Sequence, residues 1–204
     1  IAVGNKIDQS ELLPWPEKDE QGNDLHDPHI WNSTKIWQQV VTLMAEHLKT
    51  INPGKSADYD KNAEAYKKQI QETDTWAKEQ TEKIPADRRV LVTGHDAFNY
   101  FGRAYNIEIH ATDFVSSDAD LSADEISELA DLIATHKLPV IFQDNLKNPQ
   151  AIQSLKEAVA AKGWTVEVSD KELYADSLGS ESGVDTYLGV MKHNVETIVG
   201  ALSS

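Results

Sequence analysis

Three short stretches of this 204-residue chain hold the side chains best suited to chemistry. They are Asp27-Pro28-His29, His95-Asp96, and Asp176 within Leu173-Tyr174-Ala175-Asp176-Ser177-Leu178-Gly179. Imidazole and carboxylate together suit Zn²⁺ and Mn²⁺. A closed site assembled from His and Asp on distant loops is chemically reasonable. Each stretch falls at the end of an expected element. His95 follows the apolar run Val90-Leu91-Val92, closed by Thr93 and broken by Gly94. Behind it Ala97, Phe98, Phe101 and Ala104 recur at helical spacing. A residue where a strand gives way to a helix sits at the edge where open α/β sheets bind ligands.

Spacing alone does not decide what that site would do. His26 and His29 are three apart, but in an expected loop this fixes no geometry. A metal-dependent hydrolase would need an open coordination position and a nearby general base. Asp96 could be that base, could orient the site, or could cap the following helix. The sequence has no HExxH, no dinucleotide or Walker glycine motif and no GxSxG elbow. Asp144, before Asn145, is either a carboxylate site or a turn residue that supports its neighbours. His47 and His193 fall in amphipathic helices, His110 inside a strand, and His136 in a last helical turn, where a cation suits the dipole. These four are read as structural.

The elements that must position such residues alternate. Strands are expected over 89–93, 107–112, 139–144 and 165–169, and helices over 97–105, 123–136, 149–162 and 184–202. Ser122 and Glu125 have the spacing of a capping box. Asn148-Pro149 suits a helix start and Gly163 a helix end. Such alternation gives an α/β lobe with a mostly parallel four-stranded sheet. Ahead of it, Trp31, Ile36, Trp37, Val40, Val41, Met44 and Leu48 form one helical stripe, stopped by Asn52-Pro53-Gly54. Residues 55–84 form a longer helix with a thin apolar stripe and charged faces, as in a strut between two lobes. Residues 4–28, polar and proline-bearing, read as a long loop.

Composition narrows the function class. The net charge is −15, which repels phosphate backbones and favours the approach of cations, so a nucleic-acid partner is not expected. There is no cysteine, which excludes disulfides and thiolate metal sites. No apolar run approaches the ~18–20 residues of a membrane span. The chain opens on Ile1 with no basic and apolar leader, and a processed or truncated chain is expected.

In order along the chain, Asp27-Pro28-His29-Ile30-Trp31, Val92-Thr93-Gly94-His95-Asp96-Ala97-Phe98 with Tyr100-Phe101, Pro139-Val140-Ile141-Phe142-Gln143-Asp144, and Tyr174-Ala175-Asp176-Ser177-Leu178-Gly179 resemble the motifs of the metal-specific substrate-binding proteins of zinc and manganese ABC transporters. The resemblance implies two α/β lobes joined by one rigid helix, with the metal between them. It implies a remnant of the N-terminal lobe over residues 1–54, the linking helix over 55–85 and the C-terminal α/β lobe over 86–204. His29, His95 and Asp176 would be three of four metal ligands, with Asp27, Asp96 and Asp144 as weaker candidates for supporting them. The first ligand, a histidine, has no counterpart in residues 1–28, so a C-terminal fragment is expected. Asp144-Asn145 stands where the family has Glu-Ser. His95 stands where manganese-dedicated relatives carry Glu, which favours zinc with manganese next. The function implied is not enzymatic: capture of a divalent transition metal in the periplasm, or at the cell surface as a lipoprotein, and delivery to an ABC transporter permease. A hydrolase and a metal-free adhesin are the alternatives. The full-length protein is expected to be a monomer. The fragment is expected to leave residues 31–44 bare, to self-associate through residues 1–50, and to hold His29 apart from His95 and Asp176.

Overall fold

The computed structural model describes residues 1–111, 122–143 and 149–203. Residues 4–28 contain a hairpin, correcting the expectation of a loop. Strand β1 (Pro14–Lys18) pairs antiparallel with β2 (Asp24–His26). The Asp19 carboxylate accepts from the backbone N–H groups of Gln21 and Asn23, at 2.9 and 2.8 Å, and Gly22 takes φ +82°. That turn chemistry closes the hairpin. Pro14 and Pro16 are tolerated because a two-stranded ribbon has only edge strands.

Helix α1 (Thr34–Ile51) starts at Ser33, whose hydroxyl accepts from the Ile36 N–H, and ends at Asn52 before Pro53. A 3₁₀ turn, Ile30–Asn32, leads into it. Helix α2 (Ser56–Thr81) has 26 residues, about 39 Å of helix. It packs against α1 on one side and against α6 (Tyr187–Leu202) on another. Its buried positions Ile70, Thr73, Asp74, Ala77 and Thr81 form one stripe at three- and four-residue spacing. Asp74 accepts from the Thr34 hydroxyl at 2.7 Å and the Tyr105 hydroxyl at 3.2 Å.

The remaining elements alternate: β3 (Val90–Thr93), α3 (Asn99–Tyr105), β4 (Glu108–Ala111), α4 (Ala123–Thr135), β5 (Val140–Ile141), α5 (Pro149–Ala161) and β6 (Glu167–Val168). β3 pairs in parallel with β4, and β5 with β6. A parallel bridge between Thr93 and Phe142 joins the pairs, giving the order β4-β3-β5-β6. The strands are shorter than the sequence suggests, and Asp144 and Asn148 lie outside the described residues. The capping box forms, with Ser122 and Glu125 satisfying each other's backbone N–H groups. Gly163, at φ +83°, follows α5. α3 begins two residues later than expected because the Ala97 N–H turns back to the His95 carbonyl at 3.0 Å. It lies close on β4 at Gly102, where a Cβ would come within 2.5 Å of the Ile107 carbonyl.

Two apolar clusters result. The larger fills the sheet lobe around Leu91, Phe98, Phe101, Ile133, Leu138 and Leu155. The smaller joins Ile7, Ile30, Ile36 and Val40 to Tyr100, a residue of α3. The α1 face is therefore not bare. Val40 is buried and Trp31, Trp37 and Val41 are half-buried. Trp37 stacks on Tyr187 with ring centroids 5.2 Å apart. Met44, at 41 % exposure, is the residue of that set that remains open. Beside it, Ile1, Val41, Leu48 and Tyr59 help line a cleft of about 610 Å³. No helix among the described residues is long and apolar enough to cross a membrane.

Candidate metal centre

The sheet order puts a topological switch point between β3 and β5, since the chain leaves β3 toward β4 and β5 toward β6. The crevice beyond the carboxyl ends of such strands is where α/β sheets hold ligands. His95 lies there, two residues past the end of β3. The Thr93 hydroxyl donates to the His95 carbonyl at 2.9 Å and fixes the turn. Asp176 comes from the loop after β6. That loop is held by Asn194 of α6, which accepts from the Tyr174 N–H at 3.0 Å and donates to the Tyr174 carbonyl at 2.9 Å. His193 adds a 2.8 Å contact to the Glu172 carbonyl, so this helical histidine is structural, as expected.

His29 is buried just ahead of the Ile30–Asn32 turn. Its Nδ1 lies 2.7 Å from the Asp27 Oδ1, and its backbone N–H donates to the same oxygen at 2.9 Å. A carboxylate only accepts, so a ring proton sits on Nδ1, and Nε2 is the nitrogen turned toward Asp176. A carboxylate behind a histidine in this way orients metal-binding imidazoles and raises their basicity. Asp27 is buried in turn: it accepts from the Asn99 side-chain amide at 3.1 Å, and its carbonyl accepts from the Tyr100 hydroxyl at 3.0 Å. The Tyr100 oxygen also accepts from the Leu13 N–H at 3.1 Å.

His29, His95 and Asp176 converge, correcting the expectation that His29 would be held apart. Their ligating atoms all lie within 4.8 Å of one another. His95 Nε2 is 3.2 Å from Asp176 Oδ2, and His29 Nε2 is 3.7 Å from Asp176 Oδ1. Donors around a tetrahedral Zn²⁺ with bonds near 2.0–2.2 Å stand about 3.3–3.6 Å apart, so the two spacings to Asp176 need only small adjustments. The segment is held because the sheet lobe itself grips it. The Trp31 indole N–H donates to the Ala175 carbonyl at 2.7 Å, and the Asn32 amide to the Ala97 carbonyl at 2.8 Å. The Tyr187 hydroxyl donates to the Trp31 carbonyl at 3.0 Å. Sequence patterning had no access to these bonds, which span 65 to 156 residues.

The Asp176 carboxyl is held below its usual range, chiefly by the His95 hydrogen bond and then by the nearby imidazoles, against partial burial. It is therefore an anion, facing two imidazoles. His29 is walled by Trp15 and Trp31, with ring centroids 5.6 and 5.4 Å away. Asp176 is open to solvent: its side chain is 49 % exposed, against 7 % for His29. Of the supporting candidates, Asp27 braces His29, and Asp96 accepts the Asn99 amide at 2.7 Å. Asn99 itself was not singled out in the sequence. The available signal was a polar amide opening a short apolar helix. Among the described residues this is the one group of three or more closely placed His and acidic side chains.

Known proteins share this arrangement of elements. The chain is 36 % identical to the "Zinc-binding protein TroA" of Treponema pallidum over 204 residues, all of this chain and 64 % of that protein. It is 32 % identical over 202 residues to the "Manganese-binding lipoprotein MntA" of Bacillus subtilis, 98 % of this chain and 64 % of that one. It thus spans just under two thirds of the length of these curated relatives. The solved structure of the periplasmic zinc-binding protein TroA from Treponema pallidum superposes on 99 % of this chain and 71 % of its own, with a TM-score of 0.84 at 36 % identity. The family model described as zinc-uptake complex component A, periplasmic, matches residues 1–201, and the chain belongs to that family.

Proposed function

We propose that this chain is the metal-gripping part of a receptor that captures a divalent transition metal outside the cytoplasmic membrane and delivers it to an ABC transporter permease. Residues 1–54 belong to a first lobe, 55–85 form the linking helix and 86–204 the second lobe. His29, Asp176 and His95 are three of the ligands, and a histidine outside this chain completes the set. One observation carries the reading: three donors from distant loops point at one spot, with the His29 tautomer already set by Asp27. Two imidazoles and a carboxylate favour Zn²⁺ in the Irving–Williams order, with Mn²⁺ as the weaker cargo. The relatives named as zinc- and manganese-binding support that pair of metals. Calorimetric titration of chelator-treated protein with Zn²⁺ tests it. His95→Ala is expected to weaken binding at least tenfold, the lower end of what even a supporting residue contributes (about 10–100-fold). Unchanged affinity removes His95 from the ligand set.

The intact receptor is a monomer in this reading, whereas the 204-residue chain self-associates through residues 1–50. Ile1, Met44 and Leu48 are the large exposed apolar side chains there. Light scattering at rising concentration is expected to show a growing mass. A constant monomer mass disproves the association.

A further inference from the structure

We infer that Asn99 is a positioning residue that fixes the separation of His29 and His95, and with it the fit of the metal. The inference rests on the ligand reading above and concerns what holds the two imidazoles relative to each other. Asn99 is the first residue of α3. Its side-chain amide nitrogen has two N–H groups and lies between two carboxylates, 3.1 Å from Asp27 Oδ2 and 2.7 Å from Asp96 Oδ1. Both neighbours accept, so the amide can face them only through its nitrogen. One of these carboxylates, through its other oxygen, holds the Nδ1–H of His29. The other belongs to the residue that follows His95 in the chain.

The amide therefore joins the carboxylate that braces His29 to the residue next to His95. These two ligands lie 66 positions apart in sequence and come from different elements. The His29 and His95 ring centroids stand 5.1 Å apart, nearly perpendicular at 81°. With Asn99 in place, Asp27 is fixed through both oxygens and cannot turn away from His29. Without a donor at that point, two carboxylates face each other beside the metal position. They separate by rotating, and Asp27 carries its hold on the His29 ring with it. A serine offers one O–H and can satisfy one carboxylate. An aspartate has the shape of Asn99 and offers none. Outer partners of metal ligands commonly change affinity by about 10–100-fold, which sets the expected size.

The test uses the 204-residue chain with Zn²⁺ and Co²⁺ as probes, and compares wild type, Asn99→Asp, Asn99→Ser and His95→Ala. Asn99→Asp is expected to weaken Zn²⁺ binding tenfold or more and to shift the visible absorption of bound Co²⁺, with Asn99→Ser between it and wild type. In the metal-free chain, nitrogen NMR of the His29 ring is expected to show one tautomer in wild type and an average of two in Asn99→Asp. If His95→Ala loses binding while Asn99→Asp binds Zn²⁺ like wild type with an unshifted Co²⁺ spectrum, the inference is overturned and the ligand reading stands. If His95→Ala binds like wild type, the ligand reading falls. The metal-free ring signal then decides alone, and an unaltered His29 tautomer in Asn99→Asp overturns the role of Asn99. Should Asn99→Asp fail to fold, a folded Asn99→Ser with wild-type affinity and tautomer overturns that role equally.

Discussion

The two ends of the candidate site are built differently. On the His29 side everything is inside: the ring, the Asp27 carboxylate behind it and Asn32 beside it are all buried. Asp27 accepts three hydrogen bonds through its side chain, from the His29 backbone, the His29 ring and Asn99. On the Asp176 side, the loop is anchored as far as Ala175, whose carbonyl takes the Trp31 indole N–H, and the carboxylate beyond is half exposed. One wall is set before metal arrives, and the other ends in a solvated arm. The difference shows where each part draws its energy. Burial makes every unmet polar group on the His29 side costly, so geometry there is enforced. An exposed carboxylate contributes little by itself and gains its value when a cation is present.

Breaking each wall separately sharpens that contrast. Asp27→Ala leaves three donors without their acceptor in a buried place, at about 1–3 kcal/mol for each unsatisfied group before relaxation. It also frees the His29 ring. Metal-free Asp27→Ala is expected to lose about 3 kcal/mol of stability in urea unfolding, and to bind Zn²⁺ about 10–100-fold more weakly. Asp176→Ala is expected to weaken Zn²⁺ binding by at least tenfold while costing the metal-free protein less than about 1 kcal/mol. Equal losses of stability in the two variants would erase the distinction between the walls.

The same contrast separates what the sequence reveals from what it hides. The strand–helix alternation was legible because apolar runs, the Ser122–Glu125 capping box and Gly163 are local signals. The His29, His95 and Asp176 set was legible through ordered motifs, each at the end of a packed element. Their convergence was not. It depends on Trp31, Asn32, Tyr100 and Tyr187, each read as an apolar or neutral residue until its partner across the chain is known. The β1–β2 hairpin was hidden for a different reason. Its prolines and charges mask the alternation that marks a strand, and its turn depends on the Asp19 side chain.

The smallest effect expected is the acid dependence of the open wall. The Asp176 carboxyl sits below its reference value of 3.8, first because of the His95 hydrogen bond and then because of the nearby His95 and His29 imidazoles, against partial burial. A carboxyl whose folded value is depressed binds fewer protons folded than unfolded. It therefore contributes stability above the unfolded value, and that contribution is lost as pH falls through the folded one. Asp176→Asn removes the charge and keeps the shape. Because the group is largely solvated, the gap between wild type and Asp176→Asn in metal-free protein should stay below about 1 kcal/mol, about 2–4 °C in melting temperature for a chain of this size. It should be constant near pH 5 and close as the pH drops below about 4, where an ordinary aspartate takes up its proton. Melting curves of both proteins from pH 6 to pH 3 at fixed salt measure it. A gap that widens on acidification reverses the sign and shows that burial, not the imidazoles, governs Asp176.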